Sequence, residues 1–582
     1  MHSTQPLDKD LEHQMNGLNV NGYGSGTPTN EYIIPDRPLR TKRHLRIVCI
    51  GAGVSGICLA IKLQQRMTDF DLRIYEKNAD LGGTWLENRY PGCACDIPAH
   101  GYVGSVELHN YLKAVAAKHD VNKYITYNHQ MISAAWQEDR SVWQLHFEMT
   151  SPEDPTARSS FTTECDVLLN ATGSLNNWKW PDIPGLRDFK VFLTHSAHWE
   201  EGYDFKDKEI AVIGAGSSAI QIVPQLQPVV KHMTSFIRSP TWIAPSLGLI
   251  DPKDGSPSNF YYTDEQKREF RENPQKFLEY RKKIENEINR AAGVFIKDGL
   301  KQQIAFKVFT EYMKGRLGND EAFAAALTPK WSVGCKRLTP GVNFLESLIK
   351  ENVTVVNEAI SKITAEGLVT CDGKLHKVDA LVCATGFDTT YRPRFELLGR
   401  NKKPLHELWA NTDDVEAYLA MMVPEFPNYF MFIGPNSPVA NGSFMLVVEK
   451  QCEYVVSVLE KLQSEDIKAL AVKRDITHQL NAHYAKYHER TVFSDRCRSW
   501  YKGGKVDGKV LGIWPGSSLH YYELIKNPRF EDFEFTYASN NPWSFLGDGR
   551  TSIEAEDEKQ GGTLDLAWYL TTPESMLHAP GS

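Results

Sequence analysis

Two glycine-rich turns have the spacing that binds a dinucleotide pyrophosphate. The first lies in "LRIVCIGAGVSGICLAIKLQQ", where an apolar strand runs into Gly51, Gly53 and Gly56 and then an amphipathic helix. Gly51 permits the tight turn, Gly53 lets backbone approach a pyrophosphate, and Gly56 permits close packing of helix on strand. The phosphate would rest on amides at the helix N-terminus, where the dipole favours negative charge. Glu76, 20 residues beyond Gly56 in "LRIYEKN", ends the next strand and is placed to bind both ribose hydroxyls. The second turn, "KEIAVIGAGSSAIQIVPQLQ", carries Gly214, Gly216 and Ala219, with Ser217 and Ser218 opening its helix. Its following strand, "MTSFIRSP", ends in Arg238 instead of an acid. An acid there would repel a 2′-phosphate, whereas a guanidinium binds it through forked hydrogen bonds. The first unit therefore suits FAD and the second NADPH.

The elements that must hold these turns are also legible. "CDVLLNATGS" (165–174) and "VDALVCATGF" (378–387) share an acid, an apolar strand and Ala-Thr-Gly. Continuous apolar runs of this kind fit the buried strands of parallel sheets. Each closes one unit as the chain crosses between domains, and "NYFMFIGPNSP" (428–438) returns to the first. Polar, helix-favouring sequence from Thr263 to Lys314 predicts a helical insertion. The expected fold is α/β, with two Rossmann-like dinucleotide-binding domains, for FAD and NADP, and a helical insertion in the NADP domain. Its parts are a polar tail (1–43), the FAD domain (44–175 and 387–540), the NADP domain (176–386, with the insertion at about 263–330) and a C-terminal tail (541–582).

Composition excludes several classes. At 582 residues the chain supports more than one core. Acids outnumber bases, 73 against 65, so no basic field points to nucleic acid. No apolar run is long enough to span a bilayer, and Met1–Asn30 has no signal-peptide core. The ten cysteines are scattered, and Cys93 and Cys95 are too close to form a CxxC dithiol, so packed thiols of a reduced, cytoplasmic protein are expected. No metal cluster is expected, and oligomeric state is left open.

The stretch "LGGTWLENRYPGCACD" (81–96) resembles the Baeyer–Villiger monooxygenase motif GGxWxxxx[FY]P[GM]xxxD, with Gly82, Gly83, Trp85, Tyr90, Pro91, Gly92 and Asp96 at every specified position. With the two dinucleotide units, the chain resembles class B flavoprotein monooxygenases over roughly residues 40–540. "FKVFLTHSAHW" supplies Phe189, His195 and Trp199 of the second family motif, with Val191 where that motif has glycine. It most resembles fungal and actinobacterial members acting on cyclic or polycyclic ketones.

The resemblance implies a reaction in which NADPH reduces FAD, oxygen adds to give a flavin peroxide, and its anion attacks a ketone, ending in an ester or lactone. Such chemistry needs a cation that never titrates near neutral pH, hence Arg. By similarity Arg337, in "WSVGCKRLTPG", would stabilise peroxide and adduct, and Asp96 would orient it. Lys336 would bind the 2′-phosphate with Arg238, and Trp500, in "RCRSWYKGG", would contact the nicotinamide cofactor. Gly83, Thr84 and Trp85 are carried over to cofactor binding in the same way. Without the resemblance, adjacent bases such as Lys336 and Arg337 are ordinary in a solvated loop, and a turn acid such as Asp96 is common. In the family this histidine lies in a linker between domains, so the resemblance implies for His195 a role that is structural or tied to conformational steps.

One departure stands out. After "CDIPAH" relatives carry a longer aromatic-rich segment, whereas here the helix with Leu108, Leu112 and Val115 on one face follows almost at once. The shortening either opens the pocket or impairs activity. Two alternatives stay open: a related flavin monooxygenase oxidising nitrogen or sulfur, and an uncoupled NADPH oxidase or inactive homologue.

Overall fold

The computed structural model describes residues 33–96, 103–151, 154, 156–245 and 262–570. The expectations for Met1–Asn30, for the shortened segment at 97–102 and for the last residues of the C-terminal tail lie outside them.

Two five-stranded, all-parallel sheets dominate. The first has the order Tyr429–Met431, Val167–Asn170, Leu45–Ile50, Phe70–Tyr75, Ile125–Thr126. The second has the order Val353–Val356, His232–Phe236, Glu209–Ile213, Ala380–Cys383, Phe192–His195. Central strands such as Ala380–Cys383 are buried at every residue because helices or a further sheet cover both faces. On the first sheet, one face packs Ile47 and Cys49 against helices Val54–Arg66 and Phe444–Ser464. Its other face packs Val48, Ile50 and Leu168 against Trp136, Trp143 and Phe147. Those aromatics belong to a sheet made of Glu396–Leu398, His129–Gln137, Val142–Thr150 and Arg158–Cys165.

Between the second-sheet strands His232–Phe236 and Val353–Val356 lie helices Asp264–Glu272, Pro274–Arg290, Leu300–Arg316, Glu321–Leu327 and Phe344–Leu348. The sequence sets their starts. Thr263 and Gln266 form a capping box, Asn273 caps a helix with Pro274 in its first turn, and Asp320 accepts from Phe323 N–H. The two segments that cross between the sheets pair with each other, through a Trp178–Phe387 bridge and an Asp388 N–H donating to Asn177 O at 2.6 Å.

All of this lies within Lys42–Ala538, and the described residues 33–41 and 539–570 belong to a separate small unit. In that unit Leu39 and Arg40 N–H donate to Arg550 O and Phe545 O, both at 2.7 Å. The region read as the C-terminal tail carries a helix, Ser552–Lys559, started by a Thr551–Glu554 capping box.

Candidate active site between the two dinucleotide turns

Each fingerprint turn rests on one Ala-Thr-Gly segment. Gly51 has φ +108° and donates to Tyr75 O at 2.8 Å, and a Cβ there would lie 2.7 Å from Ala171 O. Gly214 has φ +127° and donates to Phe236 O at 3.1 Å, with its hypothetical Cβ 2.4 Å from Ala384 O. At both positions the backbone and the space admit only glycine. A Cβ on Gly56 would stand 2.2 Å from Gly51 O, whereas the second unit has the buried Ala219 at that place.

The charge-reading residues stand where their strands end. Glu76 is buried, with Oε2 accepting Ala52 N–H at 2.8 Å and Oε1 accepting Asn78 N–H and Nδ2 at 3.0 and 2.9 Å. Burial pushes its pKa up, and these donors oppose the shift. Arg238 is exposed at the opposite unit. A Cβ on Gly83 would lie 3.1 Å from Gly53 Cα, so bare backbone of the motif loop faces bare backbone of the first turn. Beside Gly216 a Cβ would meet nothing within 4 Å. These cradles fit a pyrophosphate at each turn. Thr84 and Trp85 follow on the short helix Thr84–Glu87, and Ser217 and Ser218 open helix Ser217–Leu226. Ser217 Oγ lies 2.7 Å from Thr339 Oγ1.

The 81–96 stretch joins the two units. Trp85 packs against both hydrophobic cores, and Tyr90 is buried in the second although it follows the first in sequence. Tyr90 OH donates to Gln221 Oε1 at 2.9 Å, and Gln221 Nε2 donates to Ala94 O at 3.0 Å. Gly92, at φ +79°, abuts the same helix, since a Cβ would lie 2.8 Å from Gln221 O. Arg89 only closes the local turn, through Nε to Leu86 O at 2.7 Å. Beyond it, Cys95 N–H donates to Val103 O and Ser105 N–H to Cys93 O, both at 2.9 Å, so the flanks of 97–102 are paired beside Asp96. Leu112 and Ala116 anchor the following helix, with Leu108 and Val115 half-buried.

Docked in this way, Asp96 meets Arg337. Arg337 Nη2 donates to Asp96 Oδ1 at 2.7 Å and Nε to Oδ2 at 3.2 Å, a forked pair. The two side chains are 26% and 17% exposed, so the pair keeps an open face. The Asp96 charge raises the Arg337 pKa further, against the cost of burial, so the cation is permanent. Tyr501, buried beside it, is pushed up to about 12, chiefly by burial, and stays a neutral phenol. Trp500 is half-buried and edge-on to Tyr501 at 4.6 Å.

Lys336 points away from Arg337. Its Nζ donates to Ser239 Oγ at 2.7 Å and Pro240 O at 3.0 Å and lies 4.7 Å above the Trp331 ring. Burial, then the charges of Arg238 and Arg498, lower its pKa to about 8. Lys336 and Arg238 are thus brought together at the end of the second unit's strand. Cys335 is bonded to Cys497, which corrects the expectation of dispersed, reduced thiols. The bond joins residues 162 apart, a pairing that composition does not reveal. Cys93 is a buried thiol outside this bond.

His195 is buried, with its pKa lowered to about 4 by burial and by the nearby His198. Its Nδ1 accepts Ala197 N–H at 3.1 Å, which leaves Nε2 to donate to Thr385 Oγ1 at 3.2 Å, and its ring stacks on Trp178. A neutral, satisfied imidazole at the domain crossing supports structure rather than proton transfer. Val191 is exposed and fills no crowded place. The residues that sequence alone missed are Gln221, Ser239, Tyr501 and the disulfide. Only Tyr501 had a local signal, its position beside Trp500.

A family model described as flavin-binding monooxygenase-like matches residues 89–292, and one described as an NAD(P)-binding Rossmann-like domain matches 49–118. The FAD-binding monooxygenase stcW of Emericella nidulans is 39% identical over 554 residues, covering 90% of each chain. A Baeyer–Villiger monooxygenase of Pseudomonas aeruginosa is 31% identical over 504 residues, covering 83% of this chain and 90% of its own. Among solved structures, cyclohexanone monooxygenase from Rhodococcus sp. Phi1 bound to NADP+ matches with TM-score 0.72 and 25% identity, over 86% of this chain and 100% of that one. The chain belongs to the class B flavin monooxygenases, of Baeyer–Villiger type. It is an NADPH-dependent enzyme with FAD as its flavin, acting on a small molecule and O2. No helix among the described residues is long and apolar enough to cross a membrane.

Proposed function

We propose that the enzyme inserts one oxygen atom of O2 beside the carbonyl of a ketone, giving an ester or lactone, in the cytoplasm. The observation that carries this reading is the forked Asp96–Arg337 pair, fixed between the two dinucleotide units. Bound FAD, reduced by NADPH, supplies the activated oxygen. Arg337 contributes a charge that survives any working pH and is aimed by Asp96, so negative charge developing on the substrate oxygen meets a donor already in place. Tyr501, neutral beside Arg337, holds one wall of that space without adding charge. Glu76 would hold the FAD ribose, with Gly51, Gly53, Gly56, Gly83, Thr84 and Trp85 around the dinucleotide. Gly214, Gly216, Ser217, Ser218 and Ala219 would receive the NADPH pyrophosphate, Lys336 and Arg238 its 2′-phosphate, and Trp500 its nicotinamide end.

Oxidation of sulfur needs an electrophilic oxygen and has little use for Arg337, so the pair favours the ketone reading. Replacing Arg337 by Ala should lower ester or lactone formation by about 10²–10³-fold while flavin reduction by NADPH persists. Product analysis on paired ketone and sulfide substrates, with hydrogen peroxide counted, is the check. Undiminished ester formation by the variant would sink the assignment, and a wild type that yields only sulfoxide would replace it.

A further inference from the structure

Three cations from three separate parts of the chain converge at one end of the second unit, and only two have a role so far. Arg238 ends the strand-bearing segment "MTSFIRSP", Lys336 follows Cys335, and Arg498 follows Cys497. The Cys335–Cys497 bond holds the Cα atoms of its two cysteines 6.4 Å apart. The next residue on each side is therefore a base, Lys336 on one strand of the junction and Arg498 on the other. A second tie sets the same alignment independently, with Ser332 N–H donating to Asp495 Oδ2 at 3.2 Å.

We propose that Arg498 is a third ligand of the NADPH 2′-phosphate, and that the Cys335–Cys497 disulfide is the strap that places it there. The proposal rests on the reading that Lys336 and Arg238 hold that phosphate.

The charge pattern supports it. Among the described residues, Arg238, Lys336 and Arg498 make no ion pair, although their neighbours do. Arg337 has Asp96, and Arg496 has Asp507 at 3.3 Å. Arg238 and Arg498 are both exposed, while Lys336 Nζ is fixed on Ser239 and Pro240. Three like charges gathered without a counter-charge repel one another, and a phosphate carrying nearly two negative charges relieves that. Burial lowers the Lys336 pKa first, and the charges of Arg238 and Arg498 lower it further.

The strap also links the two ends of the cofactor. The segment that carries Arg498 continues into Trp500 and Tyr501, and Tyr501 is buried beside Arg337. Binding of the phosphate at Arg498 thus acts on the segment that lines the reaction space. A dithiol reductant would release it by giving two electrons and two protons to the S–S bond, leaving two thiols and becoming a disulfide itself.

The test uses the FAD-loaded enzyme and the anaerobic flavin-reduction step, with dissociation constants measured for NADPH and for NADH. Arg498→Ala should weaken NADPH about tenfold and NADH far less, with Arg498→Lys restoring most of the difference. Cys497→Ser, or treatment of the wild type with dithiothreitol, should shift the NADPH-to-NADH ratio in the same direction. Thiol titration of the denatured, unreduced protein should count eight thiols, against ten after reduction, as one disulfide and eight cysteines outside it require. Equal weakening of both cofactors by Arg498→Ala, or ten thiols without reductant, would overturn the proposal. Lys336→Ala separates it from the reading beneath. If Lys336→Ala shifts the ratio and Arg498→Ala does not, only the role of Arg498 fails. If neither does, the phosphate site itself is misplaced. Flavin content and melting temperature identify any variant that misfolds, and dithiothreitol on the wild type then replaces Cys497→Ser.

Discussion

The two dinucleotide units are built on one plan and differ where the plan meets the ligand. Both use five parallel strands, a glycine turn at the end of the central strand and an Ala-Thr-Gly carbonyl beneath that turn. The first unit ends its reading strand in a buried, hydrogen-bonded acid, Glu76. The second ends it in an exposed base, Arg238, and gathers further cations from distant segments. The first turn faces the motif loop at Gly83, while the space beside Gly216 is open. On the proposed assignment, the first unit encloses its dinucleotide more closely than the second. On that reading the backbone makes the common pyrophosphate site, and the charges of Glu76 and Arg238 would decide which dinucleotide enters.

The sharpest way to break this comparison is to place a Cβ on the shared carbonyl contact. Gly51→Ala combines a disfavoured φ with an approach of 2.7 Å to Ala171 O and should yield protein largely stripped of flavin, seen in the flavin-to-protein absorbance ratio. Gly214→Ala meets Ala384 O at 2.4 Å and should keep its flavin but lose its reduction by NADPH. Loss of flavin from both variants alike would show that the units do not divide the cofactors in this way. Next in size is Arg238→Ala, which should raise KM for NADPH by about 10–100-fold and leave NADH nearly untouched, as removal of one charged hydrogen bond implies. A smaller effect comes from pH. Lys336 is protonated below about 8 and loses its charge above, so KM for NADPH should climb as pH rises through that value. A bound phosphate moves the step upward, and Lys336→Arg should remove it; a pH-independent ratio of NADPH to NADH would refute the role. Smallest is Val191→Gly, which restores the family's glycine at an exposed site and should change turnover little, with stability lower by about 0.5–1 kcal/mol. A large gain in turnover would mean that Val191 does more than its exposure suggests.

What the sequence disclosed depended on distance along the chain. The glycine turns, the acid at Glu76 and the base at Arg238 are local patterns, and the structure places each at the end of its strand. Asp96 and Arg337 are 241 residues apart, and only the family resemblance connected them. The docking of Tyr90 onto Gln221 left no trace, because a glutamine in a helix has no special signature. The disulfide was hidden for the same reason, since ten cysteines allow many pairings and composition selects none. His195 shows the reverse case, an arresting residue whose burial and hydrogen bonds make it neutral and structural.

The placement of one short strand sets the order in which the molecule can be completed. Every strand of the second sheet comes from residues 192–383, a continuous block. The first sheet begins at Leu45 yet takes its edge from Tyr429–Met431. A chain emerging from the ribosome can therefore finish its second unit while its first still lacks a strand. Completion in that order would invert the usual N-terminal-first sequence of domain folding. A polypeptide truncated before residue 429 would carry the whole glycine fingerprint on a sheet that lacks its edge strand.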